Sequence, residues 1–123
     1  MAISDDRTSH RISNAGSQAF ELKDVVSGGT HTLVITGELD MATSPEVQAV
    51  IVACAASARR LTLDLSQLTF MDSTGLSLIL EAHELCQDSG AEFVLIPGPE
   101  HVQRVFEITG LLDRLPFRST PTQ

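Results

Sequence analysis

The chain opens on a polar stretch and then settles into regular alternation of apolar and polar positions. Residues 1–18 lack hydrophobic periodicity and read as a flexible polar leader. From Phe20, the run Phe20-Glu21-Leu22-Lys23-Asp24-Val25-Val26 alternates early and suits a half-exposed strand. Ser27-Gly28-Gly29-Thr30 is turn chemistry, so Thr32-Leu33-Val34-Ile35-Thr36 predicts a second strand antiparallel to the first. Gly37-Glu38-Leu39-Asp40 ends it. Thr43-Ser44-Pro45-Glu46 then marks a helix start, with a hydroxyl cap, proline in the first turn and an acid beside it. Val47, Val50, Ile51, Cys54, Ala55 and Ala58 form one apolar stripe at helical spacing. Arg59-Arg60 follows, where cations complement a helix C-terminus.

Leu61-Thr62-Leu63-Asp64-Leu65 alternates perfectly and predicts a strand, followed by a loop from Ser66 to Met71. Asp72-Ser73-Thr74-Gly75 leads into a helix from Leu76 to Ser89, stopped by Gly90. Glu92 to Ile96 is short and apolar enough for a buried strand. Pro97-Gly98-Pro99-Glu100 opens a third helix bearing Val102, Val105, Phe106 and Thr109, which Gly110 closes. Leu115-Pro116-Phe117 returns to the sheet edge, and residues 119–123 form a polar tail. The order is β-β-α-β-α-β-α. Strands separated by helices join through right-handed crossovers and run parallel. The expected fold is therefore a single α/β domain over residues 19–118: a mixed, mainly parallel sheet, opened by a β-hairpin and packed with helices.

Composition narrows the function. At 123 residues there is room for one domain, and 16 acidic against 8 basic residues leave a formal charge of −8. Nucleic acid and anionic membranes attract clustered Lys and Arg, which this chain lacks. Its five aromatics are all Phe, a poor base-stacking set. No signal peptide or membrane span is legible, so a cytoplasmic protein is expected. Nothing suggests a self-association stripe, and a monomer is expected in the unbound state.

Most catalytic chemistry fails on spacing. His10, His31, His83 and His101 are not paired at ligand spacing with one another or with Asp or Cys, so no metal site is expected. Cys54 and Cys86 fall inside helical patterns and read as small buried hydrophobes. No glycine-rich loop joins a strand to a helix, no Gly-x-Ser-x-Gly elbow occurs, and no cofactor is implied. Asp72-Ser73-Thr74-Gly75 misses the aspartic-protease spacing by one residue. What remains is a serine at a helix N-terminus. Asp72 or Ser73 can simply cap that helix. Alternatively, the exposed hydroxyl can accept a phosphoryl group, which the local N–H groups and dipole favour. Asp40 stands at the C-terminal edge of its strand, where open α/β sheets build their sites. It shares that edge with Ser73 if the two strands are parallel neighbours.

Three segments taken together resemble the STAS domain of bacterial anti-sigma factor antagonists, the SpoIIAA and RsbV type. They are Val34-Ile35-Thr36-Gly37-Glu38-Leu39-Asp40, Leu68-Thr69-Phe70-Met71-Asp72-Ser73-Thr74-Gly75-Leu76, and Val102-Gln103-Arg104-Val105-Phe106-Glu107-Ile108-Thr109-Gly110-Leu111. The resemblance spans residues 20 to 117. It implies that Ser73 is the phosphoacceptor, that Thr74 is a neighbouring hydroxyl, and that Asp40 flanks the phosphorylation surface. Asp40, Met71, Asp72, Thr74, Gly75 and Leu76 are the expected partner-binding residues. It further implies a non-enzymatic module: the unphosphorylated form binds an anti-sigma factor that is also a serine kinase, releasing the sigma factor. Phosphorylation switches binding off, and a PP2C-type phosphatase restores it. The alternative is a non-switching STAS scaffold or a subunit of a stress-signalling or lipid-transport assembly. Ser119, Thr120 and Thr122 are further candidate acceptors.

Overall fold

A computed structural model describes residues 8–13 and 20–118, with side-chain surroundings for the second segment. In chain order the elements are β1 (Thr8–Ser13), β2 (Glu21–Ser27), β3 (Thr30–Leu39), α1 (Ser44–Ala55), β4 (Arg60–Asp64), β5 (Leu68–Met71), α2 (Ser73–Ser89), β6 (Glu92–Ile96) and α3 (Glu100–Ile108). One six-stranded sheet runs β1-β2-β3-β4-β6, with β5 paired to β3 beside that path. The first three strands are antiparallel, whereas β3, β4 and β6 run parallel, as does β5 with β3. This is the mixed α/β sheet that the alternation of strands and helices predicts.

The hairpin forms as expected, with Leu22 opposite Ile35 and Asp24 opposite Leu33. Two strands were not legible. The polar stretch read as a leader supplies the edge strand β1 over Thr8–Ser13, antiparallel to β2. An edge strand needs backbone hydrogen bonds rather than an apolar face, and polar residues there discourage pairing with other chains. Residues 1–7 and 14–18 of the expected leader, residue 19, and the tail 119–123 with its candidate acceptors, lie outside the described residues. The second correction is β5, expected as loop. Leu68 and Met71 are buried while Thr69 and Phe70 between them are exposed, so the period of two that marks a strand is absent.

β5 exists because β3 is long enough to pair twice on one side. The first half of β3 pairs β4 from Thr30↔Arg60 to Val34↔Asp64, and its far end pairs β5 from Gly37↔Leu68 to Leu39↔Met71. Between them the chain makes a tight detour. The Asp64 carboxylate accepts from the Ser66 amide at 2.9 Å, and the Leu68 amide donates to the Leu65 carbonyl at 3.0 Å. Gly37 absorbs the matching irregularity in β3, where the register shifts. Its amide donates to the Gln67 carbonyl at 3.1 Å, with φ at 103°, a region that side chains rarely enter.

α1 and α2 pack side by side. Val47 and Ile51 of α1 join Leu76, Ile79, Ala82 and Cys86 of α2 in one core with Leu33, Ile35, Leu61, Leu63 and Leu95 of the sheet. α1 stops at Ala55, earlier than the stripe to Ala58 suggests: the Ser57 and Ala58 amides both turn back to the Cys54 carbonyl. α3 buries Val102 and Phe106. Phe106 meets Phe117 edge-on at 4.9 Å, and Phe117 bridges Leu95, so the chain end does return to the sheet edge. Among the described residues no helix is long and apolar enough to cross a membrane.

Replacing Gly37 with alanine should lower unfolding free energy by about 1–3 kcal/mol, the usual cost of a side chain held in such backbone. Urea denaturation measures this, and an unchanged midpoint would disprove the role given to Gly37 in the β3 fork.

Candidate functional site

The parallel pairing of β3 with β5 brings two loops to one sheet edge. The Asp72 amide donates to the Leu39 carbonyl at 3.2 Å, which sets the start of α2 beside the β3–α1 turn. His101 on α3 ties β5 from outside, its Nε2 lying 2.7 Å from the Thr69 carbonyl oxygen. The parallel pairing therefore places Asp40 at one edge with Ser73, as the sequence suggested for parallel neighbours, and Asp72 beside them.

Each aspartate is occupied locally. Asp72 is the N-cap of α2: one carboxylate oxygen accepts from the Thr74 amide at 2.9 Å and the Gly75 amide at 3.2 Å. Asp40 organises the following turn, accepting from the Ala42 amide at 2.9 Å and the Thr43 amide at 3.2 Å. The hydroxyl cap expected at Thr43 is not made. Its Oγ1 accepts from the Asp40 amide at 3.0 Å and donates to the Glu38 carbonyl at 2.8 Å, closing the turn instead of the helix. Thr43 thus serves the loop, because its hydroxyl is engaged by Asp40 and Glu38.

Ser73 follows the cap directly, in the first turn of α2, with its side chain exposed. Thr74 and Asp72 are half-buried. The expected partner-facing set must be corrected for the rest. Met71 is 4% exposed and Leu76 9%, both packed in the core, and Gly75 is buried as well. Gly75 is there for closeness: a Cβ on it would lie 2.7 Å from the Met71 side chain and 3.0 Å from the Leu39 carbonyl oxygen. The apolar surface at this edge comes from residues that sequence reasoning missed, Phe70 and Met41, which are 46% and 74% exposed. Phe70 sits in a strand whose lack of alternation hid which way it points. A cleft of about 310 Å³ opens between the starts of α1 and α2, with Met41, Ser44, Thr74 and Ser77 in its walls.

The chemistry of a helix start changes once its cap is known. The local N–H groups expected to hold an added phosphoryl group are those of Thr74 and Gly75, and the Asp72 carboxylate already takes both. An anion on Ser73 meets a carboxylate there.

Against this geometry, the STAS domain family model matches residues 21–123. The chain belongs to the STAS-domain family. An anti-sigma-B factor antagonist from Listeria monocytogenes is 33% identical over 88 residues, 71% of this chain and 77% of the relative. Among solved structures, an anti-sigma factor antagonist from Mycobacterium paratuberculosis superposes with a TM-score of 0.75 at 25% identity, covering 85% of this chain and 90% of that one. The Bacillus cell fate determinant SpoIIAA in its phosphorylated form shares the fold, with a TM-score of 0.64 at 23% identity over 82% of this chain and 92% of its own. The α/β architecture read from the sequence is that of STAS domains.

The STAS domain holds a second polar cluster that sequence spacing did not reveal. Asp24, His31 and Cys54, dispersed along the chain, meet at the other end of the sheet. The expectation of no ligand-type grouping holds along the chain but not in space. Cys54 and Cys86 are both buried and unbridged, as read from their helical positions. Burial raises the Cys86 thiol above its usual range. Burial, and then the Asp24 charge and hydrogen bond, push the Cys54 thiol up to about 12.

Two substitutions separate the local roles. Asp72→Ala removes the α2 cap and should cost about 0.5–2 kcal/mol. Gly75→Ala forces a methyl against Met71 and the Leu39 backbone and should cost about 1–3 kcal/mol. Chemical denaturation checks both, and a neutral Gly75→Ala would show that the α2 start does not depend on this close approach.

Proposed function

We propose that this chain is an anti-sigma factor antagonist whose partner binding is gated at Ser73. In the unphosphorylated form it binds an anti-sigma factor that is also an ATP-dependent serine kinase, and so frees the sigma factor. Phosphorylation of Ser73 switches the interaction off, and a PP2C-type phosphatase restores it. The chain acts by binding, and the chemical step belongs to the kinase. Similarity to the Listeria anti-sigma-B factor antagonist supports the partner class.

One observation carries the switch: an exposed serine follows directly on a cap residue that has already taken the helix amides. A phosphoryl group adds about −1.5 to −2 charges at neutral pH. Asp72 denies it the Thr74 and Gly75 amides, and Asp40 adds negative charge at the same edge. The group is therefore left at the surface, where a partner packing on Phe70, Met41 and the cleft must bury it or withdraw. Like charges brought together in an interface cost several kcal/mol, whereas the domain itself keeps its caps and core. Blockade follows without refolding. Thr74, half-buried, is the less accessible neighbour.

The test is intact mass with peptide mapping after incubation with ATP and each candidate anti-sigma kinase of the host. One phosphate is expected on the wild type, none on Ser73→Ala, and one still on Thr74→Ala. Binding of the phosphorylated protein to the same partner should weaken by about 100-fold or more, measured by calorimetry. Undiminished labelling of Ser73→Ala, or equal affinity of both forms, would overturn the reading.

A further inference from the structure

Far from the phosphoacceptor edge, three side chains from three elements converge. Asp24 on β2 is 8% exposed, Cys54 in the last turn of α1 is 6% exposed, and the His31 side chain on β3 keeps 21% of its surface open to solvent. His31 Nδ1 lies 3.0 and 3.1 Å from the two Asp24 oxygens, and the Cys54 thiol lies 3.8 Å from Oδ2. All three donor atoms fall within 4.8 Å of one another, the one such group among the described residues. The edge strand β1 sets His10 at the register position opposite Asp24.

We propose that Asp24, His31 and Cys54 form a binding site for a divalent zinc-class cation. Zinc holds thiolate at about 2.3 Å and imidazole or carboxylate at about 2.0–2.2 Å, so tetrahedral ligands sit roughly 3.3–3.7 Å apart. The separations from Asp24, 3.0 to 3.8 Å, bracket that spacing. One sulfur, one nitrogen and one oxygen donor suit zinc and exclude the all-oxygen preference of magnesium and calcium. Two anionic donors cancel the charge of a divalent ion, so the occupied site is neutral, as its depth requires. The exposed flank of His31 is the way in.

The proton balance is explicit. The Cys54 S–H bond breaks as the sulfur–metal bond forms, and that proton leaves to solvent. The His31 proton that Nδ1 donates to Asp24 passes to Nε2, which frees the Nδ1 lone pair. Asp24 exchanges its two hydrogen bonds for the metal. Burial, and then the Asp24 charge, keeps the free thiol protonated, and the charge of the cation reverses that preference. Water completes the coordination. Bound metal would cross-link the end of α1 to the β2–β3 hairpin.

Chelator-treated full-length protein is titrated with Co²⁺, watching visible d–d bands and the near-ultraviolet sulfur-to-cobalt band, then with Zn²⁺ as competitor. The expected result is one equivalent of tetrahedral Co²⁺ with a sulfur band, displaced by Zn²⁺. Cys54→Ser should abolish the sulfur band, and His31→Ala, at a half-exposed position, should weaken binding by at least the roughly 10-fold that loss of even an outer-shell partner costs. Cys86→Ser should keep both. Circular dichroism confirms that each variant is folded. A wild-type protein without the sulfur band, or a band that survives Cys54→Ser, overturns the site.

Discussion

The double pairing of β3 is the constraint on which the rest depends. A strand of 10 residues offers one side to β4 and then, from Gly37 onward, to β5. Had β4 simply continued, the chain would have entered α2 from further along the sheet. The detour at Ser66 and Gln67 instead ends β5 level with Leu39, and the Asp72 amide closes on the Leu39 carbonyl. Parallel neighbours present their carboxyl ends together, so both following loops and both aspartates gather at one edge. Gly75 then lets α2 leave that edge in contact with the β3 backbone.

Capping and signalling are often set against each other as readings of a serine at a helix start. Here Asp72 does the capping, and that is what leaves Ser73 available. A serine serving as the cap would spend its oxygen on the helix amides and would lie one position earlier. Because Asp72 fills that position, the next side chain points to solvent with no structural duty visible in its surroundings. The stability of the helix start and the chemistry at its surface are thus assigned to adjacent residues. A change at the hydroxyl leaves the Asp72 cap of the helix start in place.

Much of this was legible in the sequence wherever one face of an element is buried and the other wet. β2 and β4 announce themselves by alternation, β3 by the hairpin turn before its apolar run, and α1 by its stripe. The failures share a cause. β5 buries its first and last residues and exposes Thr69 and Phe70 between them, so no period survives in four residues. β1 is held by backbone pairing, to which side-chain pattern is blind. Met71 and Leu76 sit beside Ser73 in the chain, yet a strand end and a helix turn send them inward while Phe70 turns outward. Proximity in sequence grouped these residues but could not say which of them reach the surface.

The Asp24 cluster shows a signal that was present and passed over. In β2 the inward positions run Leu22, then Asp24, so a carboxylate stands where alternation calls for an apolar residue. A charge rarely occupies such a position without partners. The sequence could not say that His31 and Cys54 would be those partners, since the hairpin and the crossover to α1 bring them there. α1 also spans the distance between the cluster and the edge where Asp40 and Ser73 lie. It begins just after the Asp40 turn, at Ser44, and carries Cys54 in its last turn before ending at Ala55, 12 residues and about 18 Å of helix. Whatever fixes its last turn against the hairpin therefore acts on the same helix whose first turn, with Ser44, walls the cleft.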